Sequence, residues 1–260
     1  MLNFAANISW LFQEWDFYDR FAAASDAGFV AVECLFPYEH DPDEIARHLA
    51  RHKLTMALIN LPPGDLAIGE RGLAALPGRG EDFRAALNKG LRYAGATGAR
   101  RLHAMAGIAD GPAAMEAYRD ALALACDIAG PHGIDITIEP LNGQDVPGYL
   151  MNDFALARQV IAGLKRSNLK LQFDVYHRRI LQGDVIGGLE ELMPIIGHIQ
   201  IASAPGRHEP TSGERVNGEV DDRDVLNAID RLGYRGFVGC EYKPAGGTLA
   251  GLTWLREFAA

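Results

Sequence analysis

Short apolar runs alternate with longer amphipathic stretches along this chain. The runs are rich in β-branched residues, whereas the stretches carry apolar residues at helical spacing, so the pattern predicts strands followed by helices. The predicted strands lie near residues 2–9, 30–35, 54–61, 100–106, 135–141, 169–175, 197–202 and 236–242. The predicted helices cover residues 15–28, 41–53, 81–99, 113–130, 153–166, 185–196, 222–233 and 248–258. Eight such units predict an α/β fold, a (β/α)8 TIM barrel forming a single domain over residues 1–260.

An open doubly wound sheet is the alternative architecture. It would favour a G-x-G-x-x-G turn between the first strand and its helix, and the sequence has none there. Two long glycine-containing loops, 62–81 and 203–221, follow the third and seventh predicted strands. Loops of this length are typically lids or binding loops, and both would leave the end of the barrel where such enzymes keep their chemistry.

Composition and charge narrow the class of protein. Hydrophobic residues make up 48% and charged residues 23% of the chain, as in an ordinary soluble enzyme. The formal net charge of -9 argues against a nucleic-acid partner. Because there is no basic leader and no apolar run of roughly 18 residues, we expect a cytoplasmic protein with no signal peptide and no membrane partner. Cys34, Cys126 and Cys240 lack C-x-x-C spacing and are expected to be reduced packing residues. A homo-oligomer is left open.

Four predicted strands carry a polar side chain at their end, in otherwise apolar surroundings. Burying a carboxylate there costs several kcal/mol unless a cation or hydrogen bonds compensate. Alternation along the sixth strand puts Gln172 and Asp174 on the lumen side. The simplest arrangement brings all four strand-end residues to one mouth of the barrel, where their oxygen atoms would suit Mg²⁺ or Mn²⁺. These residues are Glu139, Asp174, Gln200 and Glu241.

Such a site predicts one class of reaction. A bound cation would polarise the carbonyl and the adjacent hydroxyl of a small substrate. A glutamate on each side of the substrate would serve as base and acid for an enediolate. The alternative is that one or more of these acids is only a buried ion-pair partner. Four acids and amides at matched strand ends favour the functional interpretation.

Six further polar residues are candidate substrate contacts. Arg207 and His208, in the loop after the seventh strand, would neutralise a substrate carboxylate. His177 could hydrogen-bond substrate oxygens or join the metal ligands. For each residue a structural role is the alternative, such as a solvated loop charge or a buried group bonded to backbone. The full set is His177, Arg207, His208, Glu33, Asn60 and His103.

Several segments resemble the hydroxypyruvate isomerase family, within the xylose isomerase-like barrels. They are FAANISWLF, VECLFPY, NLPPGD, GERGLAALPGR, IEPLN, DVYH, GHIQIA, PGRHEP and GCEYKP, which extend nearly end to end. The resemblance implies a TIM barrel that isomerises hydroxypyruvate to tartronate semialdehyde. It also implies that Glu139, Asp174, Gln200 and Glu241 bind a divalent metal. Glu139 and Glu241 would be the proton donor and acceptor pair.

The segment after PGRHEP departs from that family. The family usually has a short segment with an aromatic residue, whereas this chain reads SGERVNGEVDDRDV. LHAMAG and GRHEP are also similar to relatives that isomerise four-carbon 2-oxo-tetronates, so the substrate is either a three-carbon or a four-carbon hydroxy-oxo acid. A ketose C3 epimerase is a rival, although that family usually has His at the position of Gln200. A metal-dependent DNA-repair nuclease would favour histidines and a basic groove, and a non-enzymatic sugar-binding role would leave the buried acids unexplained.

Overall fold

The computed structural model describes residues 1–210 and 221–258, and in this part of the chain eight parallel strands close into a barrel. Each strand pairs with its neighbours in sequence, and the first strand also pairs with the eighth. The predicted barrel is confirmed. Its strands are β1 (Asn3–Asn7), β2 (Ala31–Cys34), β3 (Thr55–Asn60), β4 (Arg101–His103), β5 (Asp135–Ile138), β6 (Leu169–Asp174), β7 (Ile196–Ile201) and β8 (Phe237–Cys240).

Helices follow the strands and cover the outside of the barrel. The described ones are α1 (Asp19–Asp26), α2 (Pro42–His52), α3 (Gly80–Thr97), α4 (Gly111–Ala129), α5 (Phe154–Leu164), α6 (Val175–Gln182), α7 (Val185–Leu192), α8 (Asp222–Arg231), α9 (Thr248–Gly251) and α10 (Leu255–Phe258). None of the described helices is long and apolar enough to cross a membrane. All three cysteines are free and buried, as predicted.

Helix α6 is the main addition to the predicted elements. It begins directly after β6, where the sequence suggested only a strand end. The Asp174 side chain accepts a hydrogen bond from the Tyr176 backbone N–H at 2.7 Å, so the residue that ends the strand also caps the helix. The helix predicted over 185–196 ends earlier, at Leu192. It gives way to a 3-10 turn containing Pro194, which has no backbone N–H.

Side-chain alternation separates the two sides of the barrel wall. In β6, Leu171 and Phe173 are fully buried against the helices, whereas Gln172 hydrogen-bonds to side chains of neighbouring strands. Small side chains, Ala5 and Ala31, pack together on the same side of their strands as the polar residues. Polar side chains at the carboxyl ends of the strands therefore face one another across the lumen, which confirms the predicted parity.

The first predicted lid loop is anchored to the barrel. It contains a 3-10 turn at Leu66–Ile68, and Gly72 pairs with Ala106 after β4. Residues 211–220 of the second predicted loop, 203–221, lie outside the described residues. Its described beginning is held to the segment after β8, because the Lys243 backbone N–H donates to the Arg207 carbonyl at 2.8 Å.

Candidate active site

Four buried carboxyl groups converge at the carboxyl ends of the strands. Glu139 follows β5, Asp174 ends β6, Glu241 follows β8, and Glu33 lies within β2. All four have 7% or less of their surface exposed. Concentrating carboxylates in this way is unfavourable without compensating charge and hydrogen bonds, so their partners define the site.

Gln172 links two of the converging strands. Its amide oxygen accepts a hydrogen bond from the Thr137 hydroxyl at 3.0 Å. Its amide nitrogen donates to Glu139 Oε2 at 3.0 Å and to Gln200 Oε1 at 2.7 Å. Because both amide hydrogens are used, the orientation of Gln172 is determined by its partners. Glu139 is therefore held in place by a hydrogen bond from inside the barrel.

Gln200 continues this network to the other acids. Its amide nitrogen donates to Glu33 Oε1 at 2.8 Å and to Glu241 Oε2 at 2.5 Å. Asn7 donates to the same two carboxylates, at 3.0 and 3.1 Å. The other oxygen of Glu33 lies 2.6 Å from His198 Nε2. Glu33 therefore belongs to a fully bonded layer beneath Glu241.

Arg207 supplies positive charge at the mouth. One of its amino groups donates to Glu241 Oε1 at 2.7 Å and to Asp174 Oδ2 at 3.3 Å. Its guanidinium carbon lies 5.0 Å from the Trp10 ring and 4.9 Å from the Tyr176 ring. Two aromatic faces thus hold the guanidinium by cation–π contact. Its pKa is lowered by burial but raised more by the neighbouring carboxylates, Glu241 above all, so it stays charged.

A divalent cation fits this donor set. Oxygen or nitrogen atoms of Glu139, Asp174 and His177 lie within 4.8 Å of one another. Glu139 Oε1 is buried and has no hydrogen-bond partner among the described residues. Across the described site, four carboxyl groups face one guanidinium, an imbalance that a hard cation would offset.

His177 has a defined tautomer in this arrangement. The backbone N–H of Asn142 donates to His177 Nδ1 at 3.1 Å. Burial and nearby Arg207 lower the pKa of His177 to about 3, so the ring is neutral near pH 7. The proton of the neutral ring must then be on Nε2, which lies 3.8 Å from Asp174 Oδ2. In this tautomer His177 Nε2–H is a hydrogen-bond donor directed toward the acids.

The carboxyl groups are shifted toward protonation. Burial raises the pKa of Glu139 well above its usual value, and the nearby charges of Asp174 and Glu241 add to the effect. Burial raises the pKa of Glu241 to about 8, although Arg207 opposes the shift. The pKa of Asp174 is raised by burial against the effect of the same arginine. A carboxyl group with a pKa near 8, such as Glu241, can exchange protons close to neutral pH.

Known proteins share this sequence and this fold. A family model described as a xylose isomerase-like TIM barrel matches residues 21–258. The chain is 46% identical over 262 residues to the 2-oxo-tetronate isomerase of Cupriavidus necator, with 99% of each chain covered. It is 39% identical to the hydroxypyruvate isomerase of Escherichia coli, covering 99% of this chain and 100% of that one.

The chain belongs to the family of hydroxypyruvate and 2-oxo-tetronate isomerases. It is an isomerase built on the xylose isomerase-like barrel, as the sequence segments predicted. A crystal structure of AP endonuclease, family 2, from Brucella melitensis is also similar, with a TM-score of 0.95 and 42% identity over 100% of both chains.

The predicted site residues of this isomerase differ in whether they contact the acids of the site. His103 Nδ1 lies 3.6 Å from Glu139 Oε2, and Asn60 is paired in register with His103 at the neighbouring strand end. His208 instead directs Nδ1 to the Lys243 carbonyl, 2.8 Å away, and so ties two loops together. Gln200 presents its nitrogen to Glu241, while its oxygen accepts from Gln172 and keeps one lone pair. Its predicted role as a metal ligand stays a prediction.

Sequence reasoning missed part of the isomerase site. Asn7 ends β1 just as Asp174 ends β6, so the strand-end signal was present but was not used. Gln172 was recognised as lumen-facing but was not assigned a role, and the contact of His198 with Glu33 was not predicted. Trp10 and Tyr176, which flank Arg207, gave no sequence signal because aromatic residues near strand ends are common in cores.

Proposed function

We propose that this isomerase acts on a short 2-oxo acid with a hydroxyl on the neighbouring carbon, moving a proton between the two carbons through Glu139 and Glu241. Hydroxypyruvate, which would give tartronate semialdehyde, and a four-carbon 2-oxo-tetronate both carry this group. The observation that carries the proposal is the pair of buried glutamates with raised pKa values, held by one amide network at one mouth. The relatives' names are consistent with it.

Arg207 would bind the carboxylate that all these substrates share. Its Nε–H is buried and has no partner among the described residues, so one donor remains for a ligand. The rings of Trp10 and Tyr176 contact the guanidinium and would hold its orientation while the carboxylate binds. Binding at Arg207 would place the carbonyl carbon of the substrate near Asp174 and Glu241, which contact the same guanidinium.

Proton transfer would then use the two glutamates in turn. One takes the proton from the hydroxyl-bearing carbon, and the electron pair moves into the carbonyl to form an enediolate. The other returns a proton to the former carbonyl carbon, and the proton of the original hydroxyl passes to the former carbonyl oxygen as the new carbonyl forms. His177 Nε2–H would donate to a substrate oxygen during both transfers. A divalent cation held by Glu139, Asp174 and Glu241, with Gln200 as the fourth predicted ligand, would supply positive charge to the reacting oxygens.

Two other activities place different demands on this site. A C3 epimerase would return the proton to the carbon from which it came, so the same acids could serve, and only product analysis separates the two. A nuclease must approach the DNA phosphates, which the four buried carboxyl groups and a net charge of -9 would repel. The isomerase is therefore the function we favour.

Proton NMR in D2O tests the proposal directly. Purified protein with Mg²⁺ or Mn²⁺ is given hydroxypyruvate, a 2-oxo-tetronate or a free ketose. We expect isomerisation of an acid with deuterium entering the product. We expect kcat to fall about 10²- to 10⁴-fold in Glu139→Gln and in Glu241→Gln, because each removes an acid–base group.

Glu116→Gln provides the matched control. It makes the same chemical change on the exposed face of α4, so its kcat should equal that of the wild type. Epimerised ketose with no reaction of the acids would move the protein to the epimerases. Unchanged kcat in both glutamate variants would rule out the proposed proton transfer.

A further inference from the structure

Polar atoms without partners mark one side of the active-site mouth. Asn60 Oδ1, both ring nitrogens of His103, and Glu139 Oε1 are buried and have no hydrogen-bond partner among the described residues. Asn60 ends β3, His103 ends β4 and Glu139 follows β5, so they lie on three adjacent strand ends. Buried polar groups are nearly always paired in native proteins. Three neighbouring exceptions indicate that a ligand supplies the missing partners.

The chemistry of the unpaired atoms defines that partner. The Asn60 oxygen needs a donor, whereas the His103 ring has two buried nitrogens without partners, at least one of which carries a proton to donate. A hydroxyl group is both donor and acceptor and so satisfies both residues. An ionised carboxylate or phosphate oxygen brings no proton for the Asn60 oxygen. The unpaired set therefore favours an alcohol.

Barrel topology gives the orientation of the ligand. In the closed order β1 to β8, strands β3 and β4 lie across the lumen from β7 and β8. Arg207 is on the loop after β7 and contacts Glu241 after β8. A substrate whose carboxylate binds Arg207 would therefore point its other end at Asn60 and His103.

We propose that Asn60 and His103 form a subsite for the terminal hydroxyl of a four-carbon substrate, opposite the carboxylate held by Arg207. The inference rests on the proposed function and sharpens it. In a 2-oxo-tetronate, carbons 2 and 3 react and carbon 4 carries an additional hydroxyl. Hydroxypyruvate ends at carbon 3 and leaves Asn60 without a partner. The subsite therefore selects the longer acid.

Asn60→Leu tests the subsite through kinetics. The substitution keeps the side-chain shape but removes the unpaired oxygen. We expect kcat/KM for a 2-oxo-tetronate to fall about 10- to 100-fold, while the value for hydroxypyruvate changes less than about threefold. Equal losses on both acids would overturn the proposal, because they would indicate a general disturbance of the site.

Thermal stability separates a binding role from a structural one. Since Asn60 Oδ1 is unpaired, the midpoint of unfolding of ligand-free Asn60→Leu should equal or exceed that of the wild type. Thr137→Val is the matched control, because the Thr137 hydroxyl is equally buried but is bonded to Gln172. Its midpoint should fall. A fall in Asn60→Leu as large as that of the control would contradict the subsite.

Binding of non-reacting acids separates this inference from the proposed function. A tetronate and glycerate, four-carbon and three-carbon hydroxy acids, are each added to the Mn²⁺-loaded protein, and the shift of the unfolding midpoint is measured. We expect the larger shift with the tetronate in the wild type and equal shifts in Asn60→Leu. That result without any isomerase activity would keep the subsite and reject the proposed function. Isomerase activity with equal shifts in the wild type would do the reverse.

Discussion

Arg207 is the residue on which the charge balance of the mouth depends. It contacts Asp174 and Glu241 while its guanidinium lies over the rings of Trp10 and Tyr176. The same guanidinium would bind the substrate carboxylate. Before the substrate binds, its positive charge offsets the negative charges of Asp174 and Glu241. A loop residue with a positive φ of 52° holds this position, which fixes where the guanidinium enters the site.

Removing the guanidinium should destabilise the metal-free protein. Arg207→Met leaves two buried carboxyl groups without their cation, and losing one partner of a buried pair typically costs about 3–5 kcal/mol. We expect urea denaturation to show a loss of this order, and Mn²⁺ to recover part of it by replacing the missing charge. Arg207→Lys, which keeps the charge but not the stacking, should lose less. Equal stability of wild type and Arg207→Met would show that the ion pairs contribute nothing.

At the scale of the structural element, one backbone pairing holds the first lid loop to the end of β4. Gly72 pairs with Ala106 beside the end of β4, in a backbone conformation with φ of 127°. A Cβ atom there would lie 2.4 Å from the Met105 carbonyl oxygen. The loop can therefore approach the strand end only with glycine at this position.

Gly72→Ala should detach the loop from the barrel. The clash with the backbone and the unfavourable φ together are expected to cost about 1–3 kcal/mol and to raise KM. Gly69→Ala is the matched control, because Gly69 has a φ of 89° but open space around its Cβ position. It should show only the smaller conformational cost, about 1 kcal/mol. Chemical denaturation and steady-state kinetics measure both, and identical results for the two variants would rule out the steric anchor.

Most elements could be predicted because their signals are local. The apolar run 135–141 and the amphipathic stretch 153–166 identify β5 and α5 from neighbouring residues alone. Helix α6 was missed because its first residues continue the apolar run of β6, and only the capping geometry of Asp174 ends the strand there. Boundaries of this kind depend on hydrogen bonds that composition does not reveal.

For the whole molecule, buried titratable groups set the pH dependence of stability. Glu139, Asp174 and Glu241 keep protons in the folded state that they lose in the unfolded state, because burial raises their pKa values. Their contribution to the free energy of unfolding therefore declines as the pH rises toward about 8, the pKa of Glu241. His103 and His177 have the opposite effect on stability. Burial lowers their pKa values to about 3, so they reduce the free energy of unfolding only as the pH falls below their usual value of 6.5.

The metal-free protein should consequently lose stability between pH 6.5 and 8. Over most of that window His103 and His177 are largely neutral in both states, whereas the three carboxyl groups still release protons on unfolding. We expect the unfolding midpoint to fall by several degrees, or roughly 2–4 °C for each kcal/mol lost. Glu241→Gln should flatten the profile, and Mn²⁺ should stabilise more at pH 8 than at pH 6.5. A midpoint that rises across this window would contradict the assignment.

The sequence by itself determined the barrel and the class of reaction. Both follow from short-range patterns, namely the strand–helix alternation and the acids at strand ends. Only the tertiary structure decided which groups pair, because those contacts join distant parts of the chain. Asn7 and Glu241 are 234 residues apart, and Glu33 and His198 are 165 apart. Closure of the barrel bonds Glu33 to Asn7, Gln200 and His198, and leaves Asn60 Oδ1 and both ring nitrogens of His103 without hydrogen-bond partners among the described residues. Neither outcome can be read from the neighbours of those residues along the chain.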